Sequence, residues 1–131
     1  MADSMDLSVI RQQALQEAWV TITHPVTGAE TTMRIKLLSP DCDAYRIIEN
    51  GVKNTGIQQA GRRGGRMTAE ELNENGMQLL VQATTGWEGV IFDGQEMPFS
   101  AANVRLVYSE FPFIKEQVDR FLADRRNFFQ S

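Results

Sequence analysis

The sequence predicts an α+β protein, in which an N-terminal antiparallel β-hairpin leads into a mainly helical body of about four helices with a short second hairpin or ribbon. Three observations support this fold class. Apolar and polar residues alternate on both sides of a turn near the N-terminus, later stretches space their apolar residues as helices do, and capping signals open those stretches. The length of 131 residues, with 42% hydrophobic and 23% charged residues, is typical of one globular domain. We therefore assign 1–131 to a single domain.

The first residues carry only a weak helical signal. Leu7, Ile10 and Ala14 recur at helical spacing, but the segment is short and terminal. We expect 1–17 to be either mobile or a short helix.

A β-hairpin is the clearest β element. From Trp19 to residue 23, side chains suited to a pleated strand alternate in character, and residues 31–38 alternate again. Between them, the stretch from His24 to Gly28 contains Pro and Gly, which favour a turn. The two arms are therefore predicted to pair.

The next two segments are predicted to be a short helix and a loop. Ser39 and Pro40 resemble an N-cap followed by the first helical residue, and Gly51 is suited to end the helix after Asn50. The stretch 54–67 holds four glycines and three arginines with little to bury. We expect it to be a flexible loop.

Three further elements complete the predicted body. Thr68 and Glu71 form a capping box that opens a core helix of about 15 residues. An Asp-Gly turn signal within 87–99 predicts a small hairpin or ribbon, and Ser100 caps another helix that ends near a proline. Residues 114–129 carry apolar side chains along one side, which predicts an amphipathic C-terminal helix.

The sequence indicates neither an enzyme nor a protein with a cofactor or a metal. His24, the single histidine, precedes Pro25 in the predicted turn, where a solvated residue is expected rather than a general base. Cys42 is the single cysteine, which excludes an internal disulfide and agrees with a reducing compartment. No apolar run approaches the length of a membrane span and no signal peptide is visible, so we expect a cytoplasmic protein with no membrane partner.

Nucleic acid is not expected to be the main partner. The net charge is −4, whereas affinity for nucleic acid depends largely on positive charge. Arg62, Arg63 and Arg66 could let the Gly/Arg-rich segment touch RNA or DNA, but no aromatic residues are interleaved with them. A protein contact or a solvated linker is the preferred interpretation.

The candidates for protein interaction are large apolar residues, all of which could also belong to the core. Trp19 and Trp87 are weighed evenly between interface anchor and core. The C-terminal stripe adds four more candidates: Phe121, Leu122, Phe128 and Phe129. The last two are consecutive, so their side chains point in different directions and one is left for a partner. Several apolar faces on one small protein also favour self-association.

Three stretches of sequence resemble one protein family. They are the hairpin that leads from WVTI into RIKLLSPDCDAYR, the run TTGWEG followed by FDGQEMPFSAAN, and the ending FPFIKEQV with DRRNFF. Together, in this order, they are similar to the tail assembly chaperones of long-tailed, siphovirus-like bacteriophages or prophages. They cover somewhat more than half of the chain, and 54–67 matches no part of the pattern.

The resemblance implies a non-catalytic protein that binds the tape measure protein, the tail tube protein or both during tail morphogenesis. It also implies action in the cytoplasm of the bacterial host and absence from the mature virion. Two alternatives stay open at this stage. One is a structural minor tail protein that the virion retains, and the other is a nucleic-acid-binding accessory protein that uses the basic segment Arg62 to Arg66.

Overall fold

The computed structural model describes residues 4–130 and shows an α+β fold, as the sequence predicts. An N-terminal β-hairpin is followed by a helical body and a small second sheet. The elements in chain order are α1 (Leu7–Gln13), β1 (Glu17–Thr23), β2 (Glu30–Leu38), α2 (Asp43–Arg62), α3 (Ala69–Ala83), β3 (Thr84–Glu88), β4 (Ile91–Phe92), β5 (Gln95–Glu96), α4 (Ala101–Glu110), α5 (Pro112–Ala123) and a 3₁₀ turn (Arg125–Phe128).

The main sheet has three antiparallel strands in the order β1-β2-β3, with β2 at its centre. The hairpin β1-β2 is confirmed, but β3 was not predicted. This strand begins directly after α3 and pairs with β2, so that Ile35 lies opposite Trp87. Its partner is about 50 residues away in sequence, and no local pattern reports such a pairing.

One face of this sheet packs against the helices. Val20 and Ile22 of β1, with Ile35 and Leu37 of β2, are buried at alternate positions. Helices α3, α4 and α5 cover them with further buried side chains: Leu80, Val104, Val107, Tyr108, Ile114 and Val118. The alternation along the hairpin therefore corresponds to one core face and one solvent face.

A buried polar chain joins α3, β3 and α4 within this core. The Tyr108 hydroxyl lies 2.8 Å from Thr84 Oγ1, and the Thr84 hydroxyl donates to the Leu80 carbonyl at 2.9 Å. Burial raises the pKa of Tyr108 well above its usual value, so the phenol stays protonated and able to donate.

Helix α2 corrects two predictions. It begins at Asp43, and Cys42 rather than Ser39 is the N-cap, with its Sγ accepting from the Tyr45 amide at 3.5 Å. The helix also continues through Gly51 to Arg62, so it is twenty residues long. The predicted loop over 54–67 is therefore wrong up to residue 62.

Packing between α2 and α3 explains why this glycine-rich stretch is helical. Gly56 is buried, and a side chain there would approach Met67 Sδ to 3.2 Å and Asn75 Nδ2 to 3.5 Å. The Asn75 amide donates to Gln59 Oε1 at 3.1 Å across the same contact. Gly56 is thus packed against side chains of the following turn and of α3, a tertiary environment that composition alone does not reveal.

The connection to α3 is a short turn of residues 63–68. Gly64 and Gly65 have positive φ angles of 67° and 91°, which end α2, and the Gly65 amide donates to the Ala60 carbonyl at 2.7 Å. The capping box of Thr68 with Glu71 is confirmed, as is the length of α3.

The segment after α1 meets the segment after α5. The Leu15 amide donates to the Phe128 carbonyl at 2.7 Å, and the Gln130 amide donates to the Gln13 carbonyl at 2.8 Å. Residues 7–13 form the short helix that was one of the two expectations for 1–17, whereas residues 1–3 lie outside the described residues. The predicted C-terminal helix stops at Ala123.

Candidate docking groove

An apolar groove of about 270 Å³ opens between the start of β2, the ribbon β4-β5 and the junction of α4 with α5. Its side chains are mostly aromatic, aliphatic or methionine. The lining residues are Thr31, Thr32, Met33, Gly89, Val90, Ile91, Phe92, Met97, Val107, Phe111, Phe113 and Ile114. We call this surface the docking groove.

The ribbon β4-β5 forms one wall of the docking groove, and a turn at Gly89 positions this wall. Gly89 has a φ of +67°, and a Cβ on it would lie 2.0 Å from the Thr32 carbonyl oxygen. Only glycine lets the chain leave β3 this close to β2. Beyond the turn, the Met97 amide donates to the Val90 carbonyl at 2.8 Å and closes the base of the ribbon.

The ribbon is the predicted second hairpin, and it presents apolar side chains to solvent. Asp93 and Gly94 both have positive φ angles, as the Asp-Gly turn signal predicts. On the strand before this turn, Ile91 is 55% exposed and Phe92 is 48% exposed. Large exposed apolar residues that gather beside a groove are a common feature of protein interaction sites.

Edge-to-face aromatic contacts hold the side of the docking groove. The Phe92 ring centroid lies 6.4 Å from that of Phe111, which in turn lies 6.4 Å from that of Phe113. Met33 and Met97 pack against the core at the same surface. Methionine side chains are flexible and polarizable, so a groove that contains them can adapt to different apolar partners.

Four acidic residues are next to lining residues of the docking groove along the chain. Each of four acidic residues is exposed and directly precedes or follows a lining residue in sequence: Glu30, Asp93, Glu96 and Glu110. Within residues 4–130, none of the four forms an ion pair. By contrast, the two basic neighbours of the lining, Arg34 and Lys115, are each bound to a carboxylate, at 2.7 Å and 2.9 Å.

The two tryptophans that were predicted as contact residues lie in different environments. Trp87 is partly buried against the core, and its indole N–H donates to the Met97 carbonyl at 3.0 Å. It therefore fixes the ribbon that forms the docking groove, without lining it. Trp19 is 38% exposed on the solvent face of the sheet, where Arg34 Cζ lies 4.8 Å and Lys36 Nζ 5.6 Å from its ring centroid.

The C-terminal candidates are mostly internal. Phe128 is only 1% exposed and packs edge-to-face on Phe121 at 5.4 Å, so it has no surface to offer a partner in this fold. Phe121 and Leu122 are partly buried against the core. Phe129 is partly exposed and pairs with Ala14 in an isolated bridge between the chain ends.

The basic residues of 54–67 lie at the end of α2 and in the turn that follows. Arg62 is the last residue of the helix, Arg63 forms an ion pair with Glu71, and Arg66 lies in the turn. Part of this positive charge is thus already balanced within the molecule.

The residues considered for chemistry have local structural roles. His24 Nδ1 accepts hydrogen bonds from the Val26 and Thr27 amides at 3.1 Å and 3.3 Å, which stabilises the hairpin turn. Over residues 4–130, no three His, Cys, Asp or Glu side chains cluster as a metal site would require. No helix in this part of the chain is long and apolar enough to cross a membrane.

No family model, curated protein or solved structure matches the chain. The function is therefore inferred from the geometry of the docking groove together with the sequence resemblance.

Proposed function

We propose that this chain is a tail assembly chaperone of a long-tailed bacteriophage or prophage, and that it binds tape measure protein, tail tube protein or both without catalysis. The docking groove is the observation that carries this proposal. A protein that shields an apolar client needs an accessible apolar surface on a stable body, and the docking groove supplies one beside exposed Ile91 and Phe92.

The proposed site of action is the cytoplasm of the bacterial host, and the protein is absent from the finished virion. A structural minor tail protein would instead be retained in the particle. Mass spectrometry of purified virions separates these two functions, because a retained protein is present at a fixed number of copies per particle.

The decisive test is co-expression of the tagged chain with tape measure protein and, separately, with tail tube protein. We expect either client to become more soluble and to elute with this chain from a size-exclusion column. Failure of both clients to form a complex would overturn the proposal.

Two matched variants connect the complex to the docking groove. Phe92 and Phe99 are similarly exposed, at 48% and 43%, and each has one edge-to-face aromatic partner, but only Phe92 lines the docking groove. We expect Phe92→Ala to reduce client recovery about tenfold, the effect of losing about 1.4 kcal/mol at an interface anchor. Phe99→Ala should retain client, and equal losses in both variants would place the client elsewhere.

A further inference from the structure

We propose that the docking groove selects a basic amphipathic segment, one with apolar side chains on one side and Lys or Arg on the other. The inference rests on the proposed function for the identity of the client. The chemistry of the segment is argued from two observations: the lining of the docking groove is apolar, and four exposed acidic residues next to lining residues along the chain form no ion pair within residues 4–130.

The apolar lining of the docking groove is adaptable in shape. The lining combines rings held edge-to-face, such as those of Phe92 and Phe111, with the movable side chains of Met33 and Met97. Such a surface accepts apolar side chains of varied shape and does not require one sequence. It fits a segment that presents several apolar residues on one side.

Acidic residues are next to the lining along the chain at several points. Glu30 adjoins the β2 side, Asp93 and Glu96 adjoin the ribbon, and Glu110 adjoins the α4-α5 junction. Each of the three walls therefore has at least one acidic residue next to it along the chain. A segment seated between these walls would bring its polar side near them, where Lys and Arg gain attraction and Glu and Asp meet repulsion.

The remaining charges near the lining do not offset this preference. Arg34 and Lys115 are already bound to Glu88 and Asp119. The net charge of −4 has the same sign as the unpaired carboxylates, so long-range attraction also favours a basic partner. The acidic residues next to the lining and the net charge of the whole molecule thus both favour a basic partner. The experiment must separate these two effects.

The test uses two labelled model peptides of about 18 residues, long enough for about five helical turns. Both carry Leu at the same helical spacing. One has Lys at the polar positions and the other has Glu. Fluorescence anisotropy with the full chain should show at least about tenfold tighter binding of the Lys peptide at low salt, and this preference should shrink as salt is added. Equal binding of both peptides would overturn the proposal.

Matched triple variants then separate the walls of the docking groove from the overall charge. The first neutralises Glu30→Gln, Asp93→Asn and Glu110→Gln, where Asn keeps the residue type that tolerates the left-handed turn. The control neutralises Asp43→Asn, Glu49→Gln and Glu70→Gln on α2 and α3, which supply no lining residue. Both change the net charge by +3.

We expect the first triple variant to bind the Lys peptide about tenfold more weakly than the control, since three adjacent charges are lost. Circular dichroism and the thermal midpoint establish that both variants are folded. Equal weakening would show attraction by overall charge alone and would overturn a groove-specific preference. Phe92→Ala should also weaken the Lys peptide, and unchanged binding would overturn the apolar contact.

Client co-expression distinguishes this inference from the proposed function. If tape measure or tail tube protein is retained equally by both triple variants, the charge preference fails while the chaperone function stands. If the Lys peptide binds as expected but neither client does, the chaperone function fails and the charge preference stands.

A second copy of the chain is a competing occupant, since its Arg62 to Arg66 segment is also basic. Sedimentation of the protein alone detects self-association. Association that the first triple variant abolishes and the control preserves would assign the docking groove to a second copy and overturn the client as its occupant.

Discussion

Two aromatic clusters of the molecule use the same kinds of residue for different purposes. In the C-terminal cluster, Phe128 packs on Phe121 beneath the paired chain ends and is 1% exposed. In the docking groove, Phe92 packs on Phe111 with a similar edge-to-face geometry, yet half of its surface meets solvent. Ring type and pair geometry therefore do not distinguish a core contact from a docking contact. What distinguishes them is whether another segment of the chain covers the ring.

Mutations in the two clusters are expected to have different effects. Truncation of a buried ring alters the stability of the whole fold and can abolish binding indirectly. Truncation of a ring in the docking groove removes a contact surface from a fold that persists. The following variants test this difference in order of decreasing effect on the free energy of unfolding.

The largest effect is expected from Phe128→Ala. Removal of a fully buried ring leaves a cavity beside Phe121, and we expect a loss of about 3–5 kcal/mol in the free energy of unfolding. Urea denaturation measures it. A loss under about 1 kcal/mol would contradict the burial of this ring and would return Phe128 to the set of surface candidates.

The second-largest loss of stability is expected from Gly89→Ala, which strains the wall of the docking groove. A left-handed backbone costs alanine about 1–2 kcal/mol, and the overlap with the Thr32 carbonyl adds to that, so we expect a loss of at least about 2 kcal/mol. Thermal or urea unfolding measures it.

Gly28→Ala is the matched control for Gly89→Ala. Gly28 also has a positive φ, of 73°, but a side chain there would meet nothing within 4 Å. We expect it to show the backbone cost alone, about 1–2 kcal/mol. Equal losses at the two glycines would mean that the close approach to β2 is absent.

The smallest effect is expected from Trp19→Ala on the solvent face of the sheet. Its ring is partly covered by Arg34 and Lys36, and those cations are within ion-pair distance of Glu88 and Glu17. We expect a loss of about 1 kcal/mol in stability from these exposed contacts and unchanged client retention. A drop in retention as large as that of Phe92→Ala would make this face a second docking surface.

Much of the fold was predictable because its signals are local. The turn between β1 and β2, the capping box at Thr68, the N-cap Ser100 and the Asp93-Gly94 turn each depend on a few neighbouring residues. Such signals act through backbone hydrogen bonds and φ preferences within one turn of chain. These elements were therefore placed correctly.

The misassigned segments depend on distant contacts. The stretch 54–62 reads as a loop because glycine and arginine give it no apolar stripe, yet it is helical and Gly56 is buried beside Met67 and Asn75. Likewise, β3 follows α3 without a break and exists because β2 offers a pairing partner. Sequence patterns do not show these contacts.

The docking groove illustrates the same limit at the candidate site. The sequence identified Trp87 and the ribbon as candidates for interaction. It did not predict that Met33 of β2 lies in the same groove as Phe111 and Phe113 of the α4-α5 junction. The runs VIF and FPF were the available signals, since each places aromatic or aliphatic residues near a turn. Neither run reveals whether another part of the chain covers its aromatic side chains.

Composition and short-range pattern were sufficient to predict the α+β class, the hairpin, most of the capped helices and the acidic balance of charge, and they showed no recognisable catalytic motif. Folding of the whole chain makes Phe128 buried and Phe92 exposed, and it gathers lining residues from β2, the ribbon and the α4-α5 junction, each with an acidic sequence neighbour, into one apolar groove. The physical reason is that solvent exposure and electrostatic environment depend on segments far apart in sequence, which only the folded chain brings together.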